Sequence, residues 1–186
     1  MATLRARRVC MSIAIVVALA SASPTSQSPT SPEARLKSLG ITLPPAPKPI
    51  ASYIPAVRTG NLVFLAGQGP LSGGKPTLTG KVGGEVSEEQ GNKAARETAL
   101  ILLSVLRAEL GSLDRVARVV KVVGFVNSAP GYTRQPWVMN GASDLFVEVF
   151  GEAGRHARSS VGVSELPLNI PVEIEIIVEI KPDGAK

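Results

Sequence analysis

The sequence has few of the side chains on which metal and redox sites depend. Its 186 residues include a single cysteine, Cys10, and a single histidine, His156. One cysteine cannot form an intrachain disulfide, and its place near the N-terminus excludes a cysteine-based zinc site or a catalytic thiol in the body. A single histidine excludes a multi-histidine metal site. A serine triad would have to use the imidazole of His156 as its base.

Aromatic residues and net charge are also scarce once the N-terminus is set aside. Aromatics make up 4% of the chain, and the net charge is +5. Three arginines fall in residues 1–22, and no acidic residue precedes Glu33. Residues 23–186 therefore hold 17 basic and 15 acidic side chains, a net charge of +2. A body of this composition lacks the basic, aromatic surface of a nucleic-acid binder, so nucleic acid is not an expected partner.

The one long apolar run lies at the N-terminus. A basic start precedes the run Val9–Leu19, and Ala20-Ser21-Ala22 offers the small residues of a signal peptidase site. Because a membrane-spanning helix needs about 20 apolar residues, we expect a cleavable leader over residues 1–22 and no membrane span after its removal. Export to the periplasm or the medium fits best. A mitochondrial presequence and a misassigned start codon in a cytoplasmic protein remain alternatives.

Proline and serine dominate the segment between this leader and the body. Residues 23–32 contain only Ser, Pro, Thr and Gln, which predicts a linker without a core. A short helix should follow, capped by Ser31 and ended by Gly40, and a proline-rich connector should extend to residue 49. The predicted organisation is a leader over 1–22, a linker, helix and connector over 23–49, and one domain over 50–182.

The domain shows the element order β-β-α-β-α-β-β. A capping box at Ser87 and Gln90 opens a long helix that ends at Gly111. The predicted strands are Tyr53–Val57, Leu62–Leu65, Val116–Val126, Ala157–Val163 and Val172–Ile180, and a second helix is predicted over Pro136–Phe150. In the last strand the even positions are apolar and the odd positions are glutamates, apart from Ile177. The pattern predicts an α+β two-layer sandwich, with a mixed sheet whose two helices cover one face and whose other face is partly solvated.

Familiar catalytic motifs are absent, and one charged pair remains. There is no P-loop, dinucleotide fingerprint or Gly-x-Ser-x-Gly elbow. Arg158 shares a strand face with Ser160 and Gly162, and an antiparallel last strand would bring Glu173 near. Arginine binds a carboxylate through two nitrogens, and a glutamate can orient water, so the pair suits a small carboxylic acid. An ordinary cross-strand ion pair is the alternative. His156 is expected on the opposite strand face, as a surface residue.

Two blocks of sequence resemble the Rid/YjgF family, also labelled endoribonuclease L-PSP or chorismate-mutase-like. The C-terminal signature of the family is resembled by ARSSVGV at residues 157–163, LP at 166–167 and VEIE at 172–175. Residues 60–68, GNLVFLAGQ, resemble its N-terminal block. The resemblance covers about residues 50–180. Residues 140–145, NGASDL, and 151–156, GEAGRH, are similar to one longer branch of the family.

The resemblance implies a homotrimer with three clefts between subunits, which hydrolyses reactive 2-imino or 2-enamino acids to 2-keto acids and ammonia. No metal or organic cofactor is implied. Arg158 matches the arginine that binds the substrate carboxylate, and Glu173 matches the glutamate associated with the catalytic water. Tyr53 and Asn140 match cleft residues, and Gly67 lies in a loop whose backbone lines the cleft.

Two departures from the family pattern keep other functions open. Ala66 stands where a serine is usual, and Ser160 where a cysteine is frequent. Ala66 and the leader favour a non-catalytic trimer that binds small carboxylic acids. A ribonuclease follows only from the family label. Chorismate mutase activity needs several cationic side chains around a dicarboxylate. The sequence provides only Arg158, together with Arg155 or Arg134, for that role.

Overall fold

The structure is a computed structural model that describes residues 31–48 and 52–182. The predicted leader, most of the linker and the boundary at residue 50 lie outside the described residues. The helices are α1 Pro32–Ser38, α2 Glu88–Leu110 and α3 Gln135–Phe150. The strands are β1 Ala56–Thr59, β2 Leu62–Gln68, β3 Leu71–Ser72, β4 Lys75–Pro76, β5 Val116–Asn127, β6 Ala157–Val163 and β7 Val172–Ile180.

Five strands form one mixed sheet, and the predicted α+β sandwich is confirmed. The order is β1-β2-β7-β5-β6, in which β5 and β6 are parallel and the other neighbours are antiparallel. Helices α2 and α3 pack on one face, where the apolar positions of β5 and β7 form the core with them. We call this the covered face and the other the open face. None of the helices in the described residues is long and apolar enough to cross a membrane.

Helix α2 begins and ends where its sequence indicates. The Ser87 side chain accepts a hydrogen bond from the Gln90 backbone N–H, and the Gln90 side chain accepts one from the Ser87 backbone N–H. These bonds satisfy donors that the first turn leaves free. Gly111 ends the helix in a left-handed conformation with φ 77°, which glycine adopts without a steric penalty.

Helix α1 packs against the sandwich. Leu36 is buried in the shared core. The Glu33 carboxylate accepts hydrogen bonds from Arg107 Nε at 3.0 Å and Nη2 at 2.7 Å, and from the Leu113 backbone N–H at 3.0 Å. The short helix predicted from Ser31 and Gly40 is confirmed, and its docking joins residues 31–48 to the sandwich.

The predicted first strand is wrong at its start. Tyr53 lies in the loop that precedes β1, and pairing begins only at Ala56. Pro55 has no backbone N–H, so it cannot donate to the strand ladder and delays the start of the strand.

The expected pairing of the last two strands is also wrong. Strand β7 lies between β2 and β5, and β6 pairs only with β5, in parallel. The chain passes from β5 to β6 through helix α3, and such a crossover returns the chain in the same direction along the sheet. Strand β6 therefore occupies the edge, with β5 between it and β7.

Candidate functional site: two half-sites on opposite faces

The two principal candidate residues leave the sheet through opposite faces. Arg158 pairs with Val122 in the parallel register, and Val122 is fully buried under the helices. Glu173 pairs with Phe125 and alternates with Val172 and Ile174, which are buried on the covered face. Since neighbouring paired residues share a face, Arg158 belongs to the covered face and Glu173 to the open face. The expected approach of Glu173 to Arg158 within one chain is wrong.

Arg158 is held by one stripe of helix α3. Its Nη1 donates to Asn140 Oδ1 at 3.0 Å and to Ser143 Oγ at 2.9 Å, and its Nη2 donates to the Pro136 carbonyl oxygen at 3.2 Å. The three helix residues are four and three positions apart, so they lie on the same side of the helix. We call Arg158, Asn140, Ser143 and Pro136 the arginine half-site. Asn140 thus lies beside Arg158.

All three partners of Arg158 are neutral oxygen atoms. Within the described residues no carboxylate forms an ion pair with it, whereas Arg96, Arg107, Arg134 and Arg155 each pair with a glutamate. Burial lowers the pKa of Arg158 and the charge of Asp144 raises it, and a guanidinium keeps its proton in proteins. The half-site therefore carries a fixed positive charge that is not matched by a bound carboxylate.

The second half-site is built around a bulge in β2. Leu65 pairs with Ile176 and Gln68 with Ile174, so β2 has one more residue than β7 over this stretch. Gly67 lies in the bulge, directly against the Glu173 side chain. A Cβ atom on Gly67 would overlap Glu173 Oε1 and would stand only 2.9 Å from Cδ. The absence of a side chain at Gly67 is what lets the carboxylate lie here, and we call this pair the glutamate half-site.

The environment of Glu173 favours its protonated form. Burial raises the pKa of this carboxyl, and the like charge of Glu175, two residues along the same face, raises it further. A raised pKa means that the folded protein binds this proton more tightly than the unfolded chain does. The stability that the proton contributes is present below the ordinary value of 4.5 and is lost as the pH rises through the folded value. Such a carboxyl exchanges protons nearer neutrality than an ordinary glutamate does.

Tyr53 lies beside the glutamate half-site. It is 47% exposed and lines a mostly apolar groove of about 480 Å³, which Gly67 and Leu168 also line. The structure thus brings Tyr53 and Gly67 to one groove and places Glu173 against Gly67. Arg158 and Asn140 form a separate group, and no hydrogen bond or ion pair among the described residues joins the two groups.

Sequence reasoning missed two members of the region around Arg158. Ser143 contacts Arg158 directly, and His156 contacts Ser143, with Nε2 at 3.0 Å from Oγ. The expectation that His156 is a surface residue on the other strand face is wrong. It precedes the first residue of β6, so strand alternation does not apply to it, and its half-buried ring packs against helix α3. The spacing of Ser143, one helical turn after Asn140, was the available signal.

Several apolar side chains are exposed on the open face of the sheet. Val57, Phe64 and Val161 are 51%, 41% and 45% exposed, although they lie on paired strands. Ile177, which stood out among the glutamates of the last strand, pairs with Phe64. Exposed apolar side chains on one face of a sheet are typical of surfaces that contact another protein.

The described part of the chain contains no cluster of side chains that could bind a metal ion. Across residues 31–48 and 52–182, no three His, Cys, Asp or Glu side chains come together in a way that could hold an ion. The chemistry of the two half-sites rests on a guanidinium, a carboxyl group and neutral polar groups.

The close packing of Gly67 against Glu173 gives a direct prediction. Gly67→Ala should displace the carboxylate by about 1 Å and lower the turnover of the reaction proposed below by roughly 10- to 100-fold, because misplaced catalytic groups lose rate steeply. The far end of a glutamate side chain can move, so the melting temperature should change little. Gly84→Ala is the matched control, since a Cβ there meets its nearest neighbours at an ordinary 3.4 Å. Equal turnover in the two variants would contradict the assignment.

Comparison with known proteins shows which sequences and folds this chain resembles. The sequence model of the YjgF/chorismate-mutase-like family, which also carries an endoribonuclease label, matches residues 33–180. Protein TCP17 of Trypanosoma cruzi is 46% identical over 148 residues, which cover 79% of this chain and 92% of that protein. The crystal structure of Atu1372 from Agrobacterium tumefaciens, a protein of unknown function, is 46% identical and superposes with a TM-score of 0.75. The superposed part covers 81% of this chain and 92% of the Atu1372 chain.

One relative has an activity in its name. The 2-iminobutanoate/2-iminopropanoate deaminase of Dermatophagoides farinae is 33% identical over 141 residues, which cover 76% of this chain and 95% of that protein. The similarity therefore runs through almost the whole of the mite protein.

Proposed function

Because the chain belongs to the YjgF/chorismate-mutase-like family, we propose that it hydrolyses 2-imino and 2-enamino acids to 2-keto acids and ammonia. Two neighbouring copies of the chain complete each active site, one supplying the arginine half-site and the other the glutamate half-site. The similarity to the mite deaminase supports this substrate class.

The observation that carries the proposal is the state of Arg158. A half-buried guanidinium held by three neutral oxygens keeps its charge in a partly desolvated place, where an anion binds more strongly than it does in water. Its planar fork matches the two oxygens of a carboxylate. Every 2-imino acid carries a carboxylate next to the reacting carbon, so this group fixes the substrate's position.

A second copy of the chain is needed because the half-sites lie on opposite faces of the sheet. The apolar open face around Phe64 and Ile177 is the surface on which that copy packs. The resemblance of the sequence to homotrimeric proteins supports three copies around one axis, since a closed ring repeats the same contact at every interface. Each interface then pairs Arg158 of one copy with Glu173 of the next.

The reaction needs only positioning and proton transfer. Arg158 holds the carboxylate, and Glu173 removes a proton from water as the water oxygen bonds to C2. The nitrogen gains the electron pair of the C=N bond and takes that proton from Glu173, which gives a carbinolamine. Glu173 then moves the remaining hydroxyl proton to the amino group, the C–N bond breaks, and ammonia leaves as the keto group forms. A 2-enamino acid first takes a proton at C3 and releases one from nitrogen to become the imine. Positioned groups of this kind contribute roughly 100- to 10,000-fold to such steps.

A coupled assay tests the proposal. An amino-acid oxidase or dehydratase generates 2-aminoacrylate or bulkier imino acids in solution, and trapping of the remaining imine measures its lifetime. We expect the full chain to shorten that lifetime in proportion to protein concentration. Binding of pyruvate by a folded, oligomeric sample that accelerates no imine would reject the deaminase and favour the non-catalytic carboxylate-binding trimer, to which the missing hydroxyl at Ala66 also points.

A further inference from the structure

A serine and a histidine that the proposed reaction does not use lie directly behind Arg158. The imidazole of His156 is half-buried and packs edge-on against the Phe146 ring, with the centroids 5.8 Å apart and the planes at 82°. Ser143 on helix α3 lies between this imidazole and the guanidinium. The three side chains form a continuous set of hydrogen bonds.

The Gly154 carbonyl oxygen, which is the last acceptor in this series, fixes the direction of the hydrogen bonds. His156 Nδ1 lies 2.6 Å from the Gly154 carbonyl oxygen, which can only accept, so Nδ1 carries the hydrogen. In the neutral ring Nε2 is then an acceptor, and it takes the hydroxyl hydrogen of Ser143 over 3.0 Å. This leaves the lone pairs of Ser143 Oγ to accept from Arg158 Nη1 at 2.9 Å. Each group therefore donates to the next in one direction: Arg158 to Ser143, Ser143 to His156, and His156 to the Gly154 carbonyl oxygen.

The surroundings keep the imidazole neutral. Burial lowers the pKa of His156 below its ordinary 6.5, the bond to the Gly154 carbonyl raises it, and the positive charge of Arg158 lowers it. Of the other charged groups nearby, Asp144 on α3 acts on Arg158, and Arg155 is paired with Glu152. A protonated ring would donate from both nitrogens, and Ser143 would then have to aim its own hydrogen elsewhere. With neutral His156, the Ser143 hydroxyl donates to the imidazole and accepts from Arg158, so both of its functions are used.

The arrangement decides which part of the guanidinium is left for a ligand. Arginine has five N–H donors, two on each terminal nitrogen and one on Nε. Asn140 and Ser143 take both donors of Nη1, and the Pro136 carbonyl takes one of Nη2. Among the described residues, no contact is made by Nε or by the second N–H of Nη2. These two donors sit on adjacent nitrogens and are the pair available to the two oxygens of a carboxylate.

We propose that Ser143 and neutral His156 are positioning residues that hold Arg158 with its Nε and Nη2 donors turned to the substrate carboxylate. This inference rests on the proposed function and deepens it by assigning the two residues to substrate binding. Neither residue touches the reacting bond, so their removal weakens binding and leaves the chemical step close to its original rate.

Kinetics of matched variants test the role. Ser143→Ala and His156→Phe should raise KM about 10-fold, the size expected for a hydrogen bond to a charged group, with kcat within about 3-fold of the wild type. Ser143→Thr and His156→Gln keep the hydroxyl and the acceptor and should restore KM. In an Arg158→Ala background, Ser143→Ala should have no further effect. A loss of kcat alone, or an added loss in that background, would overturn the proposal.

A second readout does not depend on activity. Because His156 is the only histidine, nitrogen-15 NMR of the untagged chain reports on its imidazole alone. We expect the Nδ1–H form at pH 7, a titration midpoint below 6.5 and a rise of that midpoint in Arg158→Ala. The Nε2–H form, or a midpoint that Arg158→Ala leaves unchanged, would overturn the proposal.

Binding of pyruvate separates failure of this inference from failure of the deaminase. If no imine is hydrolysed but Ser143→Ala still weakens pyruvate binding about 10-fold, the positioning role stands and the reaction is rejected. If imines are hydrolysed with an unchanged KM in Ser143→Ala, the reaction stands and the positioning role is rejected.

Discussion

Arg158→Ala should lower kcat/KM for 2-imino acids about 100- to 1000-fold. The substitution removes the positive charge that holds the substrate carboxylate, and loss of one partner of a desolvated, hydrogen-bonded charge pair costs about 2–5 kcal/mol. Asn140 and Ser143 would remain, but both are neutral and cannot replace a cation. Steady-state rates with 2-aminoacrylate and with a bulkier imine measure the effect.

Two further arginine variants make this result specific. Arg158→Lys keeps the charge but not the planar fork, so we expect kcat/KM between those of the wild type and Arg158→Ala. Arg155→Ala removes a neighbouring arginine that is paired with Glu152, and it should keep the wild-type rate. A similar loss in Arg155→Ala and Arg158→Ala would mean that the local positive charge matters, and not a carboxylate held by Arg158.

Glu173→Gln should lower kcat about 100- to 10,000-fold and leave KM nearly unchanged. The amide has the shape of the carboxyl group but cannot accept the proton of the attacking water, and positioned acid–base groups contribute rate factors of this size. The melting temperature should not fall, because the substitution removes a half-buried negative charge that Glu175 repels. A variant that loses kcat while keeping its stability identifies a catalytic and not a structural role.

The pH dependence of kcat provides the matching test for Glu173. Its raised pKa means that the base form is lost as the pH falls through a value above the ordinary 4.5. The ratio of wild-type to Glu173→Gln rates, which cancels the titration of the substrate, should therefore decrease toward acid pH. A ratio that is constant from neutral pH down to 4.5 would contradict the assignment of Glu173 as the base.

Local sequence signals predicted most of the fold. The capping box at Ser87 and the glycine at 111 define α2, and alternation along β7 separates its buried and polar faces, because each signal is complete within one segment. The arginine half-site was predictable in part. Strand alternation singled out Arg158, Asn140 came from the family resemblance, and Ser143 lies one helical turn after Asn140 on α3.

The relation between the half-sites was not predictable from local patterns. Strand order depends on pairing between distant segments, and nothing within residues 157–180 indicates that β5 lies between β6 and β7. The faces of Arg158 and Glu173 follow from that order. Gly67 was expected in the lining of the cleft, but its packing against Glu173 was not predictable for a related reason, because Glu173 lies more than 100 residues further along the chain.

Mixing two inactive variants tests most directly whether neighbouring copies share the active site. Arg158→Ala and Glu173→Gln chains, unfolded and refolded together in equal amounts, should form rings in which an intact arginine half-site sometimes meets an intact glutamate half-site. Random assembly of any closed ring places the two intact halves together at about one interface in four. We therefore predict about a quarter of the wild-type activity from the mixture, while each variant refolded alone stays inactive. Refolded mixed oligomers with no more activity than the separate variants would contradict the shared site.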